Sequence, residues 1–160
     1  MRSDLGQPYL VDVGFGGSLL EPLPLRAVTR VDAPYSVALS EAEDTYWRFT
    51  EKASSNPFSF DFRTDPADEA LLAAKCDYLQ TNDASPFVQN LVVQRRSVDS
   101  HIALRGRVVT VTQSNGVQKS VLQSADELVD TLNCHFNLNI PESASLWPAI
   151  CARHAALFPE

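Results

Sequence analysis

Between residues 87 and 122 the chain has few choices of backbone. Arg107 to Thr112 and Val117 to Leu122 are rich in strand-forming residues, and Ser114-Asn115-Gly116 stands between them. An Asn-Gly pair tolerates positive φ, so it closes a tight hairpin between two antiparallel strands. Phe87 to Arg95 and His101 to Leu104 read as earlier strands of the same antiparallel run. Upstream, Tyr35 to Leu39 and Thr45 to Thr50 are two short strand candidates around the acidic turn Ser40 to Asp44. Phe58, Phe60 and Phe62 alternate with the period of a half-buried strand, which makes their rings core rather than a cofactor platform. Tyr9 to Val13 reads as a strand. Residues 14 to 25 read as an extended loop, because Pro22 and Pro24 forbid a helix there.

Three segments change to helical period. Pro66 suits a first turn after Thr64 or Asp65 as cap, and Ala67, Ala70, Leu71, Ala74 and Tyr78 share one face. Ser124-Ala-Asp-Glu127 is a capping box, followed by the apolar stripe Ala125, Leu128, Val129, Leu132 and Phe136. Pro141 blocks direct continuation, and Ser145 to Leu157 forms a last helix. The expected fold class is α+β: a mostly antiparallel β-barrel or sheet body, one inserted helix near 65–80, and two closing helices. Residues 1–123 are expected to form the partial barrel and 124–160 a helical segment, together one compact unit.

The charge balance narrows the partners. Thirteen basic against 20 acidic residues leave −7, a poor match for nucleic acid or an anionic membrane. No apolar stretch approaches a membrane span, and the first residues do not read as a leader, so a soluble protein is expected. Cys76, Cys134 and Cys151 are odd in number and scattered without CxxC spacing, which argues against a disulfide framework or a zinc site. Reduced thiols, a cytoplasmic location and no metal are the corresponding expectations.

The stretch Tyr9-Leu-Val-Asp-Val-Gly-Phe-Gly-Gly17 carries the strongest chemical signal. Gly14-x-Gly16 begins like a dinucleotide fingerprint. Leu19, however, occupies the third glycine's place, and LEPLPL follows instead of a helix whose N-terminus could hold a pyrophosphate. As a strand, the stretch places Asp12 beside Leu10 on one face, either at a wet edge or buried with a partner. A strand carboxylate that orients a histidine is a recurrent catalytic device. Three histidines could serve it: His101 in the strand region, His135 directly after Cys134, and His154 three residues after Cys151. Cys151 and His154 could share a helix face as a nucleophile pair. Small thiols packing in helices, and a histidine suiting a helix C-terminus, explain them without catalysis. Phe15, a large ring on a glycine-flanked loop, either plugs the core or lines a pocket.

With Pro22-Leu-Pro-Leu25 following it, this stretch resembles the aspartate segment of the arylamine N-acetyltransferases. Phe60-Asp61-Phe62, Asn82-Asp-Ala-Ser-Pro-Phe87, Leu91 to Arg95, Leu104 to Val111 and the Ser124 to Ile140 region follow that family's order, so the resemblance covers nearly all 160 residues. It implies a cysteine-protease-like superfamily fold. It also implies ping-pong acetyl transfer from acetyl-CoA, as co-substrate, to an arylamine or arylhydrazine. By the resemblance Asp12 is the catalytic aspartate, and Phe15, Gly16, Gly17 and Phe87 are substrate- or cofactor-binding. The glycines would let the loop pass close to the acetyl and pantetheine groups. In the family, the cysteine and histidine lie upstream of the aspartate. Only eleven residues precede Asp12 here, and none is Cys or His. The expectation is a carboxyl-terminal portion that lacks the N-terminal helical domain, holds one triad member, and is inactive alone. A missing N-terminal half is the expected partner. The alternative is a catalytically inactive module or a partner-dependent subunit.

Overall fold

The computed structural model describes residues 6–12, 19–53 and 56–158. They divide into two compact units. One comprises residues 1–65, 96–101 and 112–116, and the other comprises 66–95, 102–111 and 117–160.

In the first unit, β1 (Tyr9–Leu10) and β2 (Leu23–Pro24) form a two-stranded antiparallel ribbon with Tyr9 opposite Pro24 and Leu10 opposite Leu23. β3 (Val28–Asp32), β4 (Tyr35–Glu41), β5 (Trp47–Ala53) and β6 (Asn56–Phe62) form an antiparallel sheet in chain order. Tyr35, Val37 and Leu39 alternate inward along β4 and meet Phe49 and Leu23 in the core, with Leu10, Leu19 and Leu25 packed against it. Residues 14–25 are therefore not wholly loop, since Leu23 is fully buried and pairs with Leu10. The strand expected over Tyr9 to Val13 ends at Leu10, and Val13 lies outside the described residues.

β3 escapes sequence reading because its inward period-two positions include Arg30 and Asp32. These pair with each other at 2.5 Å, while Val31 points outward, 79% exposed. The phenylalanine ladder of β6 also differs from expectation. Phe62 packs against the core, but Phe58 and Phe60 are exposed. β6 is the outer strand of its sheet, so β5 covers it on one side only, through contacts such as Phe49 to Phe60 with ring centroids 5.1 Å apart.

The second sheet runs β10-β9-β8-β7, with β7 (Val92–Arg96), β8 (Ser100–Arg105), β9 (Val108–Gln113) and β10 (Gly116–Val121). Two-residue connections, Gly106-Arg107 and Ser114-Asn115, force β8–β9 and β9–β10 antiparallel. The barrel expected from sequence is not formed. Among the described residues the strands make three separate sheets of two, four and four strands, and no ladder closes one edge onto another. A closed barrel needs ladder hydrogen bonds at every strand edge, and among the described residues the outer strands of these sheets are not joined by any.

α3 (Ala125–Phe136) follows β10 and buries Leu128, Leu132 and Phe136 against Leu104, Val109, Leu122 and Ile150. The serine half of its expected capping box is formed, Ser124 Oγ accepting from the Glu127 amide at 3.1 Å, while the Glu127 carboxylate accepts from the Gln123 amide, one residue before the cap, at 2.7 Å. Asn137, at φ 58°, ends the helix in the left-handed conformation, and the Leu138 amide reaches back to the Leu132 carbonyl at 2.9 Å. A 3-10 turn over Pro141–Leu146 then delays the last helix, α4 (Trp147–Leu157), to a start two residues later than expected.

α1 (Glu69–Thr81) begins after Asp68, not Thr64 or Asp65, because the Asp68 carboxylate reaches the Leu71 amide at 3.0 Å. Its expected apolar face is not buried: no residue of α1 is, and Leu71 is 67% exposed. α2 (Pro86–Gln89) occupies what sequence assigns to the start of a strand, and the β7 strand begins only at Val92.

Candidate functional site

Asp12 lies two residues beyond β1 and is partly buried. The ribbon fixes where it starts. The Leu25 amide donates to the Pro8 carbonyl at 2.9 Å, and Leu10 anchors in the core of its unit. Phe15, Gly16 and Gly17 lie outside the described residues. Phe87 belongs to the other compact unit, where it stands on α2 with its ring 66% exposed. Ser85 caps that helix, its Oγ accepting from the Phe87 amide at 3.2 Å.

The most developed polar cluster of the first unit is one that sequence reading does not assemble. The Tyr35 hydroxyl hydrogen-bonds His101 Nδ1, and the two rings tilt together with centroids 5.6 Å apart. The Arg96 guanidinium lies 5.1 Å from the Tyr35 ring centroid. It also donates to the carbonyls of Asp32 at 2.9 Å, Ala33 at 2.6 Å and Ser100 at 2.8 Å, and to that of Ser97. Burial, reinforced by the nearby Glu51 carboxylate, pushes the Tyr35 hydroxyl up to about 12. Burial and then the Arg96 charge push His101 below its ordinary value. Tyr35 therefore keeps its proton and His101 is neutral, and which of the two donates follows the imidazole tautomer. Among the described residues His101 Nε2 is buried without a hydrogen-bond partner. No nucleophile among the described residues joins this cluster, and Arg96 clamps the β3–β4 turn to the 96–101 segment of the same unit. Beside it lies a widely open recess of about 290 Å³ lined by Val31, Pro34, Tyr35, Ser36, Lys52 and Ser114, among others.

The remaining thiols and imidazoles do not form catalytic pairs. Cys151 and His154 share α4, but no hydrogen bond joins them, and His154 packs on Phe158 with ring centroids 4.9 Å apart. Cys134 is exposed next to His135 on α3. Cys76, exposed on α1, receives a contact from Gln80 Nε2 at 2.8 Å. His101, one candidate partner for Asp12, is engaged by Tyr35. Among the described residues no three His, Cys, Asp or Glu side chains group as a metal site, and no helix is long and apolar enough to cross a membrane.

A family model described as N-acetyltransferase matches residues 4–145. The arylamine N-acetyltransferase of Mycobacterium tuberculosis is 31% identical over 140 residues, an alignment covering 86% of this chain and 49% of that protein. That of Mycolicibacterium smegmatis is 30% identical over 141 residues, covering 85% and 50%. The structure of Mycobacterium marinum arylamine N-acetyltransferase in complex with CoA is similar with a TM-score of 0.76 and 26% identity, covering 92% of this chain and 55% of that one. The chain thus spans about half the length of the curated relatives it matches.

Proposed function

Because the chain belongs to the arylamine N-acetyltransferase family, we propose that it is the carboxyl-terminal portion of an acetyltransferase that moves acetyl from acetyl-CoA to an arylamine or arylhydrazine nitrogen. The family match across residues 4–145 carries this reading, and the resemblance of the segment around Asp12 to the family's aspartate segment supports it.

The chemistry runs in two halves. A cysteine thiolate attacks the acetyl-CoA carbonyl, the C–S bond to CoA breaks, and CoA leaves as a thiol with a proton from the imidazolium. The acceptor nitrogen then attacks the acetyl-cysteine, loses its proton to the imidazole, and expels the thiolate. Asp12 holds the imidazole in the required tautomer and stabilises its charged form. By the resemblance, Phe15, Gly16 and Gly17 are substrate- or cofactor-binding residues, and so is Phe87. In this reading the cysteine and histidine belong to the half of the relatives' length that these 160 residues do not span. The three cysteines present are free thiols, which suits a reducing cytoplasm.

The test is to sequence the source DNA upstream of the Met1 codon and express the longest frame. An in-frame cysteine and histidine segment, with acetyl-CoA-dependent acetylation of 4-anisidine, supports the proposal. The 160 residues alone are expected to give no acetylation. A longer frame that lacks both segments, or turnover by the 160 residues alone, contradicts it.

A further inference from the structure

Ser85 is completely buried, and its polar atoms are fully used. Its amide donates to the Asn82 carbonyl at 2.8 Å, and its hydroxyl donates to the Leu79 carbonyl at 2.7 Å. The same hydroxyl accepts from the Phe87 amide at 3.2 Å. Its carbonyl accepts from the Val88 amide at 3.2 Å and the Gln89 amide at 3.0 Å. One residue therefore ties the end of α1 to the whole of α2. Outer braces add to it: Gln89 Nε2 donates to the Asp83 carbonyl at 2.8 Å, and Arg153 donates to Gln89 Oε1 at 2.9 Å.

This bracing does not serve the hydrophobic core. α2 has four residues and none is buried. The ring it presents, Phe87, is 66% exposed, and Val88 beside it is 46% exposed. A short exposed helix frays unless something fixes it. Here the fixing lies on the inner side and the apolar ring on the outer side. The backbone that carries Phe87 is thus fixed although its side chain contributes no burial, so the bracing places this residue rather than building the core.

We propose that Ser85 is the positioning residue of the acceptor site: its hydroxyl fixes the backbone that carries Phe87, and the residue so placed selects aryl acceptors. The inference rests on Phe87 being a substrate contact. Ser85 itself touches no ligand. Losing its hydroxyl frees the Leu79 carbonyl and the Phe87 amide together, so α2 loses its first turn and Phe87 its fixed backbone.

The experiment uses Ser85→Ala, Phe87→Ala, the double variant and Ser85→Thr in the expressed protein. Amide exchange is read first. Phe87, Val88 and Gln89 should exchange about tenfold faster or more in Ser85→Ala, with Leu128 and Leu132 of α3 unchanged as the control for folding. Ser85→Thr, which keeps the hydroxyl, should restore protection. Binding of 4-anisidine is then followed through the Phe87 ring resonances, and through the remaining phenylalanines in the variants that lack it. Each single variant should weaken binding about tenfold, and the double variant no further than Phe87→Ala alone, because Ser85 acts through that ring. Additive losses, or an unchanged affinity in Ser85→Ala beside a weakened Phe87→Ala, overturn the role of Ser85 while leaving the site reading in place. An unchanged affinity in Phe87→Ala, or no binding to any form, removes Phe87 as a substrate contact and the role of Ser85 with it.

Discussion

Replacing Tyr35 with phenylalanine tests whether the Tyr35–His101–Arg96 cluster holds its unit together. The substitution keeps the ring, which is 6% exposed, and so keeps its packing and the Arg96 contact at 5.1 Å. It removes only the hydroxyl that meets His101 Nδ1. Among the described residues Nε2 already lacks a partner, so the variant leaves both nitrogens of a half-buried imidazole unsatisfied. Stranding a buried polar group costs about 1–3 kcal/mol. The expected loss is ~1–2 kcal/mol, toward the lower end of that range, because the phenylalanine side chain has no hydroxyl of its own to desolvate. The assay is urea unfolding near pH 8, followed by Trp47 fluorescence in a Trp147→Phe background, since Trp47 lies in the same unit as the cluster. A midpoint shift with unchanged slope, equivalent to ~1–2 kcal/mol, fits the account. A change below ~0.3 kcal/mol would refute it, because the hydrogen bond would then contribute nothing.

Three further outcomes follow from the same packing. His101 is held below its ordinary value of 6.5 in the fold, so the unfolded chain binds its proton more readily. Its contribution is complete above about pH 6.5 and is lost as pH falls toward the folded value, at no more than ~1.4 kcal/mol per pH unit for one proton. His101→Gln should flatten that decline in a pH series of urea midpoints, and an identical slope in the variant would remove His101 as its source. Leu128→Ala, at a fully buried position, should cost about 2–5 kcal/mol, whereas Leu71→Ala on α1, 67% exposed, should stay within ~0.5 kcal/mol. Equal thermal shifts in the two variants would contradict the burial described. Ser124→Ala should cost ~1 kcal/mol by removing the acceptor for the Glu127 amide, measurable as a lowered thermal midpoint, with no shift as the contrary result.

What can be read from sequence is local. The Asn-Gly hairpin, the strands around it and the Ser124 cap of α3 all appear where their residues place them, because turn and cap chemistry acts within a few positions. β3 is hidden because its inward positions include the mutually paired Arg30 and Asp32, which reads as a polar segment without the fold. α1 misleads in the opposite direction. Helical period places Leu71 and Tyr78 on one face, but period does not supply a surface to cover that face. The same limit applies to Phe58 and Phe60 on their outer strand. At the candidate site, Asp12 stands out by its position in an apolar run. The Tyr35–His101 pair joins positions 66 residues apart, a separation no local pattern encodes. Ser85 reads in sequence as an ordinary turn residue. Only its burial and its hydrogen bonds to Leu79 and Phe87 distinguish it.

The most direct measurement is single-turnover acetylation of the expressed longer protein by acetyl-CoA, comparing Asp12 with Asp12→Asn across a pH series. The account predicts that Asp12→Asn folds normally but forms acetyl-cysteine on the order of 10³–10⁴-fold more slowly, as expected when the carboxylate orienting a catalytic imidazole is neutralised. Acetylation at the unaltered rate in Asp12→Asn would contradict the assignment of Asp12 and, with it, the central claim about this chain.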